Sequence, residues 1–153
     1  MPDDLAIEFF FTFQRAEHAL KMAGLRKNKP VAEACWTRFA REPQVTALLA
    51  ADDGGPLSEA IRYYFAHPPR QQMVRDAVLV WEEKAPNPDG GAEALLAHVG
   101  RMRNNLFHGG KCAAHLYGRD RELVEHGLCI LRACIEAHPE VREHFRAFTP
   151  EGQ

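Results

Sequence analysis

Leu95, Val99, Met102 and Leu106 recur at steps of four, three and four, which brings them onto one stripe of an α-helix. The stripe begins after the break Ala85-Pro86-Asn87-Pro88-Asp89-Gly90-Gly91 and stops at Gly109-Gly110. The spacing therefore predicts a helix from Ala92 that is bounded on both sides. The same period runs through Leu5, Phe9, Thr12, Ala16, Ala19 and Ala23, with Phe10, Phe13, Leu20 and Leu25 widening the apolar face. Asp3 or Asp4 can cap this segment, because a short carboxylate accepts hydrogen bonds from the free amides of a first turn. Gly24 sits where a helix stop belongs. Residues 4–23 thus read as a long amphipathic helix.

Shorter helices fill the interval. After the basic connector Lys27-Asn28-Lys29-Pro30, residues 31–41 read as a second helix with Ala34, Cys35, Trp36 and Phe39 inward. Pro43 interrupts it, and a helix over 43–51 follows. Asp52-Asp53-Gly54-Gly55-Pro56 is a turn cluster. Residues 57–66 form the next helix, ended by His67-Pro68-Pro69, since residues before proline avoid helical dihedrals. Residues 70–86 leave two readings open. Val78 to Trp81 has strand character, and Gln71 to Val74 can pair with it across Arg75-Asp76; a helix is the competing reading. Beyond a polar linker, Asp120 can cap a last long helix carrying Leu123, Leu128, Ile130, Leu131, Cys134 and Ile135. Pro139 breaks it, and residues 140–147 close the fold with Val141, Phe145 and Phe148 nearby. The expected fold is all-α: an antiparallel helical bundle with additional short helices and a small β-hairpin around 71–81, with 1–153 as one domain.

Composition narrows the classes of function. A formal net charge of −2 is not that of a chain gripping nucleic acid by bulk charge, so an RNA contact has to come from a local cluster. Met-Pro-Asp-Asp lacks the positive start of a secretory signal, and the run Phe9 to Phe11 is far short of the ~20 residues a bilayer needs. The expectation is a cytoplasmic protein without a membrane partner, with Cys35, Cys112, Cys129 and Cys134 reduced.

The segment Arg101 to Lys111 carries the chemistry. Polar residues give way to Leu106 and Phe107, which are expected to anchor the last turn in the core, and then to His108 before the two glycines. Arg103, Asn104 and His108 are left at the rim. Five residues of ideal helix separate Arg103 from His108 by about 140°, so an unwound last turn is needed to bring both toward one anion. Arginine offers a planar fork that matches phosphate oxygens, and histidine takes or gives a proton near neutral pH. Cleaving RNA through its 2′-hydroxyl needs both a base and an acid. Each chain supplies one such histidine, so the chemistry predicts a homodimer whose two-fold axis brings two copies into one cleft. The plain alternative is that Arg103 and His108 are a helix-end cation and a C-terminal cap.

Arg103-Asn104-Asn105-Leu106-Phe107-His108 resembles the Arg-x4-6-His signature of HEPN domains, with a polar residue after the arginine as that family prefers. Phe9 to Lys21 and Arg119-Asp120-Arg121-Glu122-Leu123 are similar to the opening and last helices of bacterial HEPN-like proteins with an Asn-Leu-Phe-His-Gly-Gly-Lys core. The resemblance implies a dimerising helical bundle and a metal-independent endoribonuclease of toxin–antitoxin, phage-defence or RNA-processing type. It implies catalytic roles for Arg103 and His108, with Asn104 as the motif's polar position. Asn105, Lys111, Arg15 and Glu17 are further candidates for substrate binding. No cofactor or metal is expected: His108, Cys112 and His115 lack a fourth ligand. Some members of the family bind nucleotides or proteins without turnover, including nucleotidyltransferase partners, and others pair with an antitoxin. A binding module is therefore the competing function.

Overall fold

Asp3 starts the first helix: its carboxylate accepts from the Leu5 amide at 2.9 Å and satisfies one of the donors a helix start leaves free. The computed structural model describes residues 3–84, 87, 90–108 and 116–148. Helix α1 runs Asp4–Met22 and buries Phe9, Phe13, Ala16, Ala19 and Leu20 on one face. It ends at Ala23, and Gly24 takes the left-handed turn at φ +83°.

The expected helix over 31–41 is only half present. Helix α2 is Trp36–Ala40. Residues 31–35 instead fold back on the end of α1. Arg26 and Ala34 form an antiparallel bridge, the Cys35 amide donates to Leu25 O at 2.9 Å, and Lys27 holds Glu33. These backbone bonds span the Lys27–Pro30 connector, so they outcompete a local helical turn. Helices α3 (Pro43–Ala50) and α4 (Pro56–Ala66) both start on a proline, whose missing N–H is not needed there.

The open segment resolves as a hairpin. Strand β1 (Gln71–Arg75) pairs antiparallel with β2 (Val78–Glu82), with Gln72 opposite Trp81 and Val74 opposite Leu79. The turn falls on Asp76-Ala77, both at positive φ (50° and 62°), rather than on Arg75-Asp76. Two such residues give the twist that suits a two-residue hairpin. The Arg75 side chain at the turn end reaches along the ladder and donates two bonds to Glu82 at 2.7 and 2.9 Å.

Helix α5 (Gly91–Phe107) follows, then α6 (Gly118–Ala137) and α7 (Pro139–Ala147). Helix α6 begins on Tyr117 without a side-chain cap, so Asp120 lies inside the first turn and does not start it. His138 starts α7, its Nδ1 accepting from the Val141 amide at 3.3 Å. The described residues thus form a mainly helical fold with one small two-stranded antiparallel sheet. Helix α6 packs against α1, α4, α5 and α7, and α5 against α2, α3 and α6. Phe9, Phe39, Tyr64, Met102, Ile130 and Leu131 are fully buried between them, each contributing about 1.5–3 kcal/mol by leaving water. Among the described residues no helix is long and apolar enough to cross a membrane.

Candidate functional site

The last three turns of α5 are held from three sides. Met102 and Leu106 are buried. Phe107, expected in the core, is 66% exposed, because the core stripe runs through 99, 102 and 106 and leaves position 107 on the flank. Its ring instead meets Phe10 and His108 edge-on, with centroids 6.1 and 5.2 Å away. His108 ends the helix, its amide donating to Asn104 O at 2.9 Å. Asn105 straps the helix to the hairpin, its amide donating to Arg70 O at 2.8 Å.

Between α5 and the hairpin lies a hollow of about 480 Å³. Helix α5 contributes Arg101, Arg103, Asn104, Asn105 and His108 to its wall. The hairpin contributes Gln71, Gln72 and Trp81, and Trp36 and Phe13 close the far side. Every described residue on this wall is cationic, neutral polar or apolar; none is a carboxylate. Two arginines, Arg101 and Arg103, thus face one hollow within a chain of net charge −2.

Arg103 stands between this hollow and a second one of about 590 Å³, lined by Phe10, Glu17, His18, Lys21 and Phe107 among others. Its guanidinium donates to Glu17 at 3.0 Å and lies 4.8 Å from the centre of the Phe13 ring. Its Nε is buried without a hydrogen-bond partner among the described residues.

The structure thus divides the sequence candidates. Arg103, Asn104, Asn105 and His108 share the first hollow, and Asn105 already has a structural partner. Glu17 opens onto the second hollow and reaches the first only through Arg103. Arg15 lines neither: it donates to Phe145 O at 2.8 Å, stacks over the Phe145 ring at 4.2 Å, and fastens α7 to α1. Lys111, Cys112 and His115 lie outside the described residues. Among the described residues no group of three His, Cys, Asp or Glu side chains is arranged to hold a metal ion.

Sequence reasoning missed Arg101. Residues 101, 105 and 108 follow the four-then-three helical step, so Arg101 stands in line with His108 whereas Arg103 lies on the flank. The signal was present in that spacing. The tryptophans and glutamines gave no local signal, because the hairpin and α2 reach α5 only through the fold. No protein-family model, curated protein or solved structure matches this chain.

Proposed function

We propose that the chain is a metal-independent endoribonuclease of the HEPN type, acting on RNA at a composite site formed by two copies. The observation that carries this reading is that Arg103, Asn104 and His108 open onto one hollow whose described wall bears arginines and no carboxylate. In this reading the helices form the antiparallel bundle of that family, the chain is one domain, and it works in the cytoplasm as a toxin or phage-defence component.

His108 of one copy takes the proton from a ribose 2′-hydroxyl as its oxygen attacks the adjacent phosphorus. The symmetry-related His108 gives a proton to the departing 5′-oxygen. Arg103 offsets the charge that grows on the phosphate, the contribution that usually dominates such reactions. The protein supplies both protons' carriers, and no cofactor enters the step.

The test is RNA cleavage by the purified chain with EDTA present. His108→Ala is expected to lower the rate by about 10²-fold or more with an unchanged circular dichroism spectrum. Full activity in that variant sinks the reading.

One observation favours a second function: Arg103 is already engaged by Glu17 of its own chain. In a binding module the same hollow would hold a nucleotide, or the face a nucleotidyltransferase or antitoxin, without turnover. Its mark is stabilisation by a nucleotide with no cleavage by the wild-type protein.

A further inference from the structure

Arg101 is half-buried on the wall of the first hollow, and its surroundings differ from those of the other hollow-facing arginine. Arg103 has Glu17, and elsewhere Arg41, Arg75, Arg119 and Arg132 each pair with a carboxylate. Arg101 has no carboxylate partner among the described residues. Its one polar neighbour there is the His98 ring, with Nη1 3.2 Å from Nε2. That nitrogen also lies 2.9 Å from the Lys84 carbonyl, and Nδ1 lies 2.9 Å from the Ala94 carbonyl. When Nε2 donates to Lys84 it has no lone pair left for Arg101; when Nδ1 carries the proton instead, Nε2 accepts from Arg101, a neutral partner in either case. Burial pushes the Arg101 guanidinium below its ordinary pKa range, which is the cost of a partly desolvated cation without its anion.

Opposite Arg101 the wall changes character. Gln72 and Trp81 are cross-strand partners and so share one face of the hairpin. Both line the hollow, together with Trp36, whose ring is braced by Phe13 at 4.8 Å and Phe39 at 6.0 Å. A groove that combines a cation for the backbone with indoles for the bases is the arrangement that holds single-stranded nucleic acid. Primary amides such as that of Gln72 suit the exposed edges of an unstacked base.

We propose that Arg101, Trp81 and Trp36 form a nucleotide subsite beside His108, in which Arg101 binds a backbone phosphate next to the scissile one and the indole wall carries a base. The proposal deepens the ribonuclease reading and rests on it: the hollow receives single-stranded RNA. It assigns Arg101 to substrate binding and Arg103 to the reacting phosphate. The hairpin becomes a grip for substrate.

The test separates binding from cleavage with a fluorescein-labelled, single-stranded 2′-O-methyl RNA octamer, which lacks the attacking hydroxyl. Its affinity for the full chain is read by fluorescence anisotropy over a range of salt. Arg101→Ala is expected to weaken binding about tenfold and to reduce the salt slope by about 0.7, the contribution of one phosphate on a single strand. Arg101→Lys keeps the slope but binds more weakly than wild type, since it keeps the charge and loses the fork. Trp81→Ala is expected to weaken binding about tenfold with the slope unchanged, and Trp81→Phe to recover most of it. Matching thermal melts establish that the variants are folded; should Arg101→Ala fail to fold, Arg101→Lys and Trp81→Phe carry the comparison. Wild-type affinity and slope in the Arg101 and Trp81 variants overturn the subsite, and so does a wild-type chain that does not bind the octamer. The ribonuclease reading is judged separately, by whether cleavage of ordinary RNA depends on His108.

Discussion

Glu17 sets what Arg103 can do. It holds the guanidinium at 3.0 Å against the Phe13 ring, and it also cancels part of the charge a phosphate would meet. These two effects separate on mutation. Glu17→Ala frees the side chain and is expected to lower the cleavage rate on the order of 10- to 100-fold through misplacement, while octamer affinity stays level or rises because an adjacent negative charge is gone. Glu17→Gln keeps an acceptor for Arg103 and is expected to retain most of the rate. Single-turnover kinetics set beside anisotropy binding show the split, and a parallel loss of affinity and rate in Glu17→Ala would contradict it. A second residue-scale consequence concerns Cys134. It is fully buried, and that burial pushes its thiol up to about 12. A raised thiol pKa keeps the group protonated at pH 8, and the thiolate is the reactive form. Cys134 is therefore expected to resist iodoacetamide at pH 8 in the native protein and to react in urea, as read by peptide mass spectrometry. The Arg101–His108 alignment was legible in the sequence as a seven-residue step, whereas Arg103 is the arginine that fits a contiguous motif. Glu17 as the partner of Arg103 was beyond any local reading, since 86 positions separate the two.

Helix α6 passes α4 closely because Gly127 has no side chain. A Cβ there would stand 2.5 Å from the Tyr64 hydroxyl and 3.5 Å from the Phe9 ring. That hydroxyl donates to Leu123 O at 2.7 Å inside the core. Gly127→Ala gains up to about 1 kcal/mol in helix propensity but forces the phenol aside, at about 1–3 kcal/mol for overpacking. Net destabilisation of up to about 2 kcal/mol is expected in urea melts once the full propensity gain is set against the overpacking cost. Tyr64→Phe in the same chain makes room and should return part of that loss; simple addition of the two single effects would show that the hydroxyl is not the obstacle. In the hairpin, Ala77 holds φ +62° against its own preference. Ala77→Gly relieves roughly 1 kcal/mol of that conformation and is expected to slow amide exchange across Gln71–Glu82. Most elements were legible in the sequence because proline and glycine punctuate it: Pro43, Pro56 and Pro139 each open a helix where the spacing put one. Two helix starts differ from the sequence expectation. Residues 31–35 took backbone partners across a connector, and α6 started at Tyr117 although Asp120 was the better local cap. At residues 31–35 contacts outside the local window outweighed propensity.

For the whole molecule, the chemistry asks for two imidazoles in one cleft, and His108 is the one histidine on the wall of the first hollow among the described residues. A second copy is the economical source. Phe107 stands beside it, 66% exposed, and Phe11 is 60% exposed on α1. With a net charge of only −2 per chain, two copies meet little long-range repulsion. The expected particle in light scattering has about twice the 17.3 kDa chain mass. Phe107→Glu places a charge on the apolar rim in place of the ring that meets His108 edge-on, and is expected to give monomers. Cleavage should then fall with dimer content, because each monomer keeps its histidine but loses the complementary one. The same dependence should appear in the wild type on dilution, with rate per chain dropping below the dimer dissociation constant. Adding excess His108→Ala chain to wild type should inhibit by forming mixed dimers that hold a single imidazole. A Phe107→Glu monomer that cleaves RNA at the wild-type rate would mean that one chain completes the acid–base pair alone, and the two-fold site would have to be abandoned.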